Sequence, residues 1–419
     1  MRTQIKFAFL VSVTLIAGQA GAQESIPTFD SARLERLDAY IQGAIDRKEI
    51  PGAVVVVTDR DGVVHHTAMG SADIDTGRPM TEDSIFRIAS MTKAITTVAV
   101  MQLYERGHFM LGDPVAEYIP AFAEMNVISE VDEEGNVTAT VPATKPIRII
   151  DLLTHTSGIG YPFIPTKLTK TYADAGIWDG LALQNMTLED QMLLLAEQPI
   201  LFEPGSAYMY GLNTDLLGYL VEVISGQTLE EYFYEHIFDP LGMVDTHFYL
   251  PEDSADRLVT LHAWVEGEGL RVSDGTESDI KLDDTDFPNG DARSFFSGGG
   301  GLSGTAQDYA VFTRMLLNDG ELDGVRILSR KSVELMREPR FDANGDGIKE
   351  ISLGLFVVTD MSLHGELGTL GTYSWGGAFE TSFFIDPVEG ISAVFMTQAR
   401  PHSTNIRNDF DVLVYQALN

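Results

Sequence analysis

Phe86-Arg87-Ile88-Ala89-Ser90-Met91-Thr92-Lys93 closes a polar segment and opens an apolar-periodic one. Met91, Ala94, Ile95, Val98 and Met101 recur at helical spacing. Ala99 and Leu103 widen the stripe and Gly107 supplies a stop, so the pattern predicts an amphipathic helix from Ser90 to Arg106. Ser90 and Lys93 stand three residues apart and share one face of that helix. A serine in the first turn lies where unpaired backbone N–H groups and the helix dipole favour negative charge. A serine nucleophile needs a base, and a neutral lysine one turn on supplies it. By itself the pair reads equally as an N-cap serine beside a solvated lysine. Ser278-Asp279-Ile280-Lys281 repeats the spacing in an acidic stretch with no apolar helix behind it, and reads as a surface coincidence.

Working outward toward the N-terminus, Asp30 and Ser31 can cap a helix with Leu34, Leu37, Tyr40, Ile41 and Ile45 on one face. Ala53 to Thr58 is a buried-strand run, and Asp61-Gly62 is a turn from which Val63 to Met69 returns as a hairpin. The first residues form an export leader: Arg2 and Lys6, a short apolar run from Phe7 to Ala17, and Ala20-Gly21-Ala22 as the cleavage site. The run is short for a bilayer span, so residues 1–22 are expected to be removed and the protein to be periplasmic or secreted.

Toward the C-terminus, helical periods dominate from Pro114 to Gly300. Leu188 to Glu197, Asp215 to Ser225 with Gly226 as its cap, and Leu229 to Phe238 are predicted helices, and Glu130 to Val141 an exposed hairpin. Ser297 to Leu302 reads as a flexible crossing. Strand-like runs return at Ile351 to Thr359, Phe379 to Ile385 and Ile391 to Thr397, before a last helix carrying Ile406, Phe410, Leu413, Val414 and Ala417. Strands at both chain ends and helices between predict an α/β domain from 23–113 and 300–419, with a mainly helical domain at 114–299 and the active site between them.

Composition narrows the chemistry. The 419 residues contain no cysteine, which excludes disulfides, thiolate metal sites and a cysteine nucleophile. The formal charge of −34 opposes binding to nucleic acid or anionic lipid. Neither G-x-S-x-G nor H-E-x-x-H occurs. His155 sits in a motif-like Thr154-His155-Thr156-Ser157-Gly158, where a buried, hydrogen-bonded structural histidine is the expected role. Asp342-Ala343-Asn344-Gly345-Asp346-Gly347 looks like the start of a calcium loop. Its twelfth position is Leu353 where a bidentate Glu is needed, so Asp342, Asn344 and Asp346 read better as an exposed polar turn.

Four segments together resemble the class C β-lactamase-related serine hydrolases. They are Phe86 to Lys93, Leu152-Leu153-Thr154-His155-Thr156-Ser157-Gly158, Pro240-Leu241-Gly242-Met243 and Gly298-Gly299-Gly300-Gly301-Leu302-Ser303. The resemblance runs from about residue 30 to the C-terminus. It implies a β-lactamase/DD-peptidase-like α/β (α+β) fold, with an antiparallel sheet flanked by helices plus the inserted helical domain. It places the nucleophile and its lysine at Ser90 and Lys93.

The family's catalytic tyrosine usually stands in Tyr-x-Asn, which is absent here. Tyr210-Gly211-Leu212, five residues before Asp215-Leu216-Leu217-Gly218, resembles the variant of the family VIII carboxylesterases, which makes Tyr210 the base candidate rather than Tyr208. Lys-Thr-Gly is also absent. Tyr373-Ser374-Trp375-Gly376-Gly377-Ala378 takes its place and resembles the esterase form. Trp375 cannot hold a carboxylate by charge, and a neutral apolar wall suits an uncharged ester. Gly376 and Gly377 let the backbone approach substrate, and the amides of Ala378 and Ser90 are the implied oxyanion hole. The resemblance implies a secreted serine esterase acting on a small ester through an acyl-enzyme, with no metal or organic cofactor. The alternatives are a β-lactamase or D-amino-acid peptidase, an acyltransferase, or a non-catalytic envelope-binding module. Oligomeric state is not legible.

Overall fold

The computed structural model describes residues 27–276, 284–402 and 404–419. The leader at 1–22 and the second Ser-x-x-Lys copy at Ser278 and Lys281 lie outside the described residues. Among the described residues no helix is long and apolar enough to cross a membrane.

Eight strands form one sheet. Three come from the N-terminal part: β1 (Gly52–Asp59), β2 (Val63–Asp73) and β3 (Arg78–Pro79). Five come from the C-terminal part: β4 (Lys349–Ile351), β5 (Phe356–Val358), β6 (Tyr373–Gly376), β7 (Ser382–Asp386) and β8 (Ile391–Met396). The order is β4-β5-β6-β7-β8-β1-β2-β3, with antiparallel pairing throughout. The two ends of the chain meet at the centre, where Val54 opposes Met396 and Val57 opposes Ala393.

Period-two alternation sends β1 side chains to two different cores. Val55 and Val57 join Leu37 and Ile41 of α1 (Ser31–Asp46) and Phe410 and Val414 of a terminal helix, Ile406–Tyr415. Val54 and Val56 join the larger core on the opposite face. Both faces are covered, which is why the run reads as uniformly apolar rather than alternating. Asp30 caps α1 by accepting from Arg33 N at 3.2 Å. Its own N–H donates to Ala417 O at 2.8 Å, so the two described ends of the chain are tied together.

The predicted hairpin at Asp61-Gly62 forms, with both amides donating to Asp59 Oδ1 at 2.8 Å. Between the two sets of strands lie helices including Ile149–Leu153, Leu188–Ala196, Asn213–Ser225 and Leu229–Phe233, the last continuing as a π turn over Tyr234–Phe238. Hairpins 126–131/137–142 and 262–265/269–272 interrupt them. One continuous hydrophobic cluster contains Val54 of the sheet and Leu216 and Leu220 of the Asn213–Ser225 helix.

Four readings of the sequence are corrected. The helix of the opening motif is α2, Thr92–Glu105, preceded by a single 3-10 turn over Ala89–Met91. It is buried on all sides from Thr92 to Leu103 rather than amphipathic. Two of its hydroxyls face backbone instead of water: Thr96 Oγ1 donates to Gly298 O at 2.7 Å, and Thr92 Oγ1 accepts from Leu302 N at 3.2 Å. The same bonds correct the flexible crossing, because 297–302 is a buried, fixed segment. The run from Ile351 to Thr359 is two strands, turning at Gly354. There φ is +75° and a Cβ would stand 2.2 Å from Thr97 Oγ1 of α2. Tyr373–Gly376, expected only to precede a strand, is itself strand β6, paired to β7 with Trp375 opposite Phe383.

Candidate active site

Ser90 is positioned by the residues just before it. Ile85–Arg87 pairs with Ser303–Thr305. The Arg87 guanidinium is buried and donates to three carbonyls: Phe287 at 2.7 Å, Thr285 at 3.0 Å and Val259 at 3.1 Å. Burial lowers its pKa to about 10, which still leaves it charged at neutral pH. Ile88 N donates to Leu302 O at 3.1 Å, and Ala89 then adopts φ +45°, a left-handed conformation costly for a residue with a Cβ. Ser90 follows in the 3-10 turn, half-buried in the wall of a cavity of about 540 Å³.

Two groups converge on its hydroxyl. Tyr210 OH donates to Ser90 Oγ at 2.6 Å, and Lys93 Nζ lies 3.3 Å from the same oxygen. Lys93 has no exposed surface. Its remaining contacts are Tyr161 OH at 3.0 Å and the Gly299 carbonyl oxygen, and it lies 4.7 Å from the Tyr210 ring centroid. Burial disfavours the ammonium and lowers the Lys93 pKa to about 7, against an opposing pull from Asp215. The solvated-lysine reading is thereby excluded. Burial raises the Tyr210 and Tyr161 pKa values, so both phenols stay protonated at neutral pH.

Behind this cluster, Asp215 Oδ1 accepts from Ser297 Oγ at 2.5 Å and from Gly299 N at 3.2 Å. That fixes the carbonyl that receives the Lys93 N–H. A Cβ on Gly299 would lie 2.3 Å from Asp215 Oδ2 and 2.8 Å from Tyr161 OH, so only glycine fits. Burial pushes the Asp215 carboxyl up, opposed by the Ser297 hydrogen bond and by Lys93. His155 is buried and its Nδ1 accepts from Asn213 Nδ2 at 3.0 Å; burial and then Lys93 keep it neutral. Its ring packs 5.0 Å from Tyr210 and 6.4 Å from Trp375, the expected structural role.

The opposite wall is strand β6 and the residues after it. Trp375 stacks on Phe356 at 4.9 Å with 13° between the rings. Gly377 N donates to Thr381 O at 2.7 Å, and Thr381 Oγ1 reaches Ile88 O at 3.4 Å. A Cβ on Gly377 would stand 2.5 Å from Ile88 O. This close approach brings Gly376, Gly377 and Ala378 into the same cavity wall as Ser90. The seven residues singled out for catalysis and substrate binding, Ser90, Lys93, Tyr210, Trp375, Gly376, Gly377 and Ala378, thus stand in one cavity wall or directly behind it.

A scan against family models matches the Beta-lactamase family over residues 37–416. The chain belongs to the β-lactamase family. Esterase EstB of Burkholderia gladioli is 31% identical over 391 residues, covering 88% of this chain and 92% of that protein. Lovastatin esterase of Penicillium rubens is 30% identical, covering 87% of this chain and 92% of that protein. Among solved structures, EstCE1, described as a hydrolase with promiscuous acyltransferase activity, superposes with a TM-score of 0.79 at 28% identity, covering 92% of this chain and 98% of that one. Both the serine-hydrolase family and its α/β fold are therefore shown.

Within this β-lactamase-family site, sequence reasoning missed Tyr161, Asn213 and the role of Asp215. Tyr161 opens the aromatic loop at 161–179, and nothing local in that loop signals a bond to a lysine 68 positions earlier. The 342–347 loop does not gather ligands around an open centre. Asp342 Oδ1 accepts from Gly345 N at 2.8 Å and Asp346 Oδ1 from Ile348 N at 2.9 Å, and Leu353 is buried in the core. Among the described residues no group of three or more His, Cys, Asp or Glu side chains is arranged to hold a metal.

Proposed function

We propose that this protein is an exported serine carboxylesterase working through a Ser90 acyl-enzyme. The observation that carries the reading is the environment of Lys93: a buried amine titrating near 7, 3.3 Å from a serine oxygen that also receives the Tyr210 hydroxyl. A neutral amine has two N–H bonds and one lone pair. The Gly299 carbonyl and the Tyr161 hydroxyl accept the two N–H bonds, and the lone pair is left for the Ser90 proton.

In the first half-reaction Ser90 Oγ attacks the ester carbonyl as its proton passes to Lys93. The Tyr210 phenol, held protonated by burial, hydrogen-bonds the same oxygen and hands a proton to the leaving alcohol, to be replenished from Lys93. The Ser90 and Ala378 amides receive the oxyanion. Water then takes the place of the alcohol, and the same groups run in reverse to release the acid. An alcohol in place of water would give acyl transfer, which the description of EstCE1 keeps as the second reading.

The leader at residues 1–22 supports export, and N-terminal sequencing of periplasmic material should begin at Gln23. The function is tested with p-nitrophenyl butyrate and nitrocefin on the mature protein and on Ser90→Ala. Rapid ester cleavage abolished in the variant, with little nitrocefin turnover, is expected. Nitrocefin cleaved faster than the ester would favour a β-lactamase, and ester cleavage surviving in Ser90→Ala would sink the nucleophile.

A further inference from the structure

Aromatic residues make up 9% of the chain, yet six of the eighteen residues lining the Ser90 cavity are Phe, Tyr or Trp. Tyr161 and Tyr210 serve the proton transfers through their hydroxyls. Phe163, Tyr208, Phe356 and Trp375 have no such task, and their places in the wall divide them.

In the esterase mechanism Tyr210 hands a proton to the leaving oxygen, so the leaving alcohol lies on the Tyr210 side of the carbonyl. The rings beside Tyr210 therefore border that alcohol. Trp375 is the first of them, with its centroid 5.9 Å from that of Tyr210. Burial raises the Tyr210 pKa, and hydrogen bonding with Ser90 and with the Trp375 indole offsets part of that rise. Phe356 extends the wall, stacked on Trp375 at 4.9 Å with 13° between the rings, and Tyr208 lies 6.5 Å further on at 47° to Phe356. Pairing of β5 with β6 holds the first two together, with Phe356 opposite Ser374. Trp375 is buried, whereas Phe356 and Tyr208 are half-buried and keep part of each ring open to the cavity.

The remaining apolar wall is separate. Phe163, Leu181 and Ala378 line the cavity from a small cluster built around Leu261 and Phe379, which contains neither Tyr210 nor Trp375. Phe163 is already stacked on Tyr161 at 4.7 Å with 24° between the rings. This wall is left for the acyl group. Aromatic pairs in offset or edge contact gain more than their buried area alone gives. A ring in the leaving alcohol collects that gain from Phe356 and Tyr208, and a saturated group of the same size does not.

We infer that the preferred substrates carry an aromatic ring in the leaving alcohol, seated against Tyr208, Phe356 and Trp375, with the acyl group on the Leu181 side. The inference rests on the esterase reading and narrows its substrate class.

Two matched pairs of esters test the ring and its place. Benzyl butyrate and cyclohexylmethyl butyrate differ only in the aromaticity of the alcohol. Ethyl phenylacetate and ethyl cyclohexylacetate make the same change in the acyl group. Each kcat/KM is divided by the hydroxide-catalysed rate constant of the same ester. Each ratio compares two esters on one preparation, so a lowered folded fraction cancels. The alcohol pair should favour its aromatic member by about threefold to tenfold, the scale of a single aromatic contact, and the acyl pair by less. The alcohol ratio should fall toward unity in Phe356→Leu. Should that variant fail to fold, Tyr208→Leu, on a different segment of the same wall, takes its place. An alcohol ratio at or below unity, an acyl ratio above it, an alcohol ratio unchanged in the folded variant, or no cleavage of benzyl butyrate overturns the inference. Turnover of p-nitrophenyl butyrate in the same preparation leaves the esterase reading standing in each of those cases, and its absence removes both.

Discussion

Lys93→Met probes the protonation state on which the mechanism depends. The substitution keeps an unbranched apolar stem of similar reach and removes the titrating group. In the unfolded chain the amine titrates at the ordinary 10.5, and in the folded protein at about 7. A folded-state pKa lowered in this way means that between pH 7 and 10.5 the unfolded chain binds a proton that the native protein does not. Stability contributed by the neutral amine is therefore present in full above pH 10.5 and is lost as pH falls toward 7. Below that value both states are protonated and the loss levels off. Within the window the slope is about 1.4 kcal/mol per pH unit. Between pH 9.5 and 7.5 the parent should lose about 2–3 kcal/mol relative to Lys93→Met.

The variant also leaves the Gly299 carbonyl and the Tyr161 hydroxyl without their donor, at about 1–3 kcal/mol each, but this offset is the same at every pH in the window and cancels in the slope. Urea titrations of parent and variant at half-unit steps of pH measure the difference directly, with every other titrating group common to both. The gap should move in favour of the variant as pH falls, and the variant should have no esterase activity. Parallel stability curves would show that Lys93 holds its proton in the folded protein, and the general-base assignment would fail with them.

The same group should set the acid limb of the kcat/KM profile, with activity rising through a pH of about 7 as Lys93 loses its proton; a limb near 4 would point to a carboxylate instead. Tyr210→Phe removes the hydroxyl 2.6 Å from Ser90 and should lower kcat by about 10²–10⁴-fold with little change in KM, and a KM effect alone would make Tyr210 a binding aromatic. Gly299→Ala forces a methyl to within 2.3 Å of Asp215 Oδ2, so it should cost about 1–3 kcal/mol of stability and most of the activity together, whereas a silent substitution would show that the 297–302 segment can yield.

How much of this was legible in the sequence follows the range of each interaction. Ser90 and Lys93 could be paired because a helical turn fixes their relation within four residues, and the local 3-10 start preserves it. Tyr210 is preferred to Tyr208 through the resemblance of its segment to the family VIII carboxylesterases. Tyr210 donates to Ser90, while Tyr208 packs 6.0 Å from His155 and 6.5 Å from Phe356. The central strands were legible because burial on both faces makes them continuous apolar runs. Strand β6 was not, since Trp375 and two glycines carry no strand alternation and its register comes from β7. Helix α2 was misjudged for the opposite reason. Threonine at 92, 96 and 97 looks like a solvent face, and only the tertiary arrangement shows Thr92 and Thr96 bonded to the glycine segment. Tyr161 acts across the fold, so no local pattern announces it.

The distribution of backbone strain supports the same centre. Six described non-glycine residues have positive φ: Lys48, Ala89, His155, Asp319, Asp323 and Glu380. Lys48 and Asp319 follow helix ends, and Asp323 sits in the two-residue turn of a short hairpin, places where a left-handed residue closes a turn. His155 likewise follows the end of the Ile149–Leu153 helix and Glu380 lies in the loop joining β6 to β7, so Ala89 alone of the six closes no such turn. Ala89 directly precedes Ser90, His155 packs on Tyr210 and Trp375, and Glu380 anchors Arg407 two residues after Ala378. Each costs on the order of 1–3 kcal/mol, and a buried lysine adds to the sum. A folded chain keeps such costs only where the surrounding packing over-determines them, which here is the sheet on one side and α2 with its threonine-bound glycine segment on the other. A non-catalytic binding module would need none of these costs at Lys93 and Ala89. Their concentration around one serine oxygen therefore favours chemistry at Ser90 over simple ligand capture.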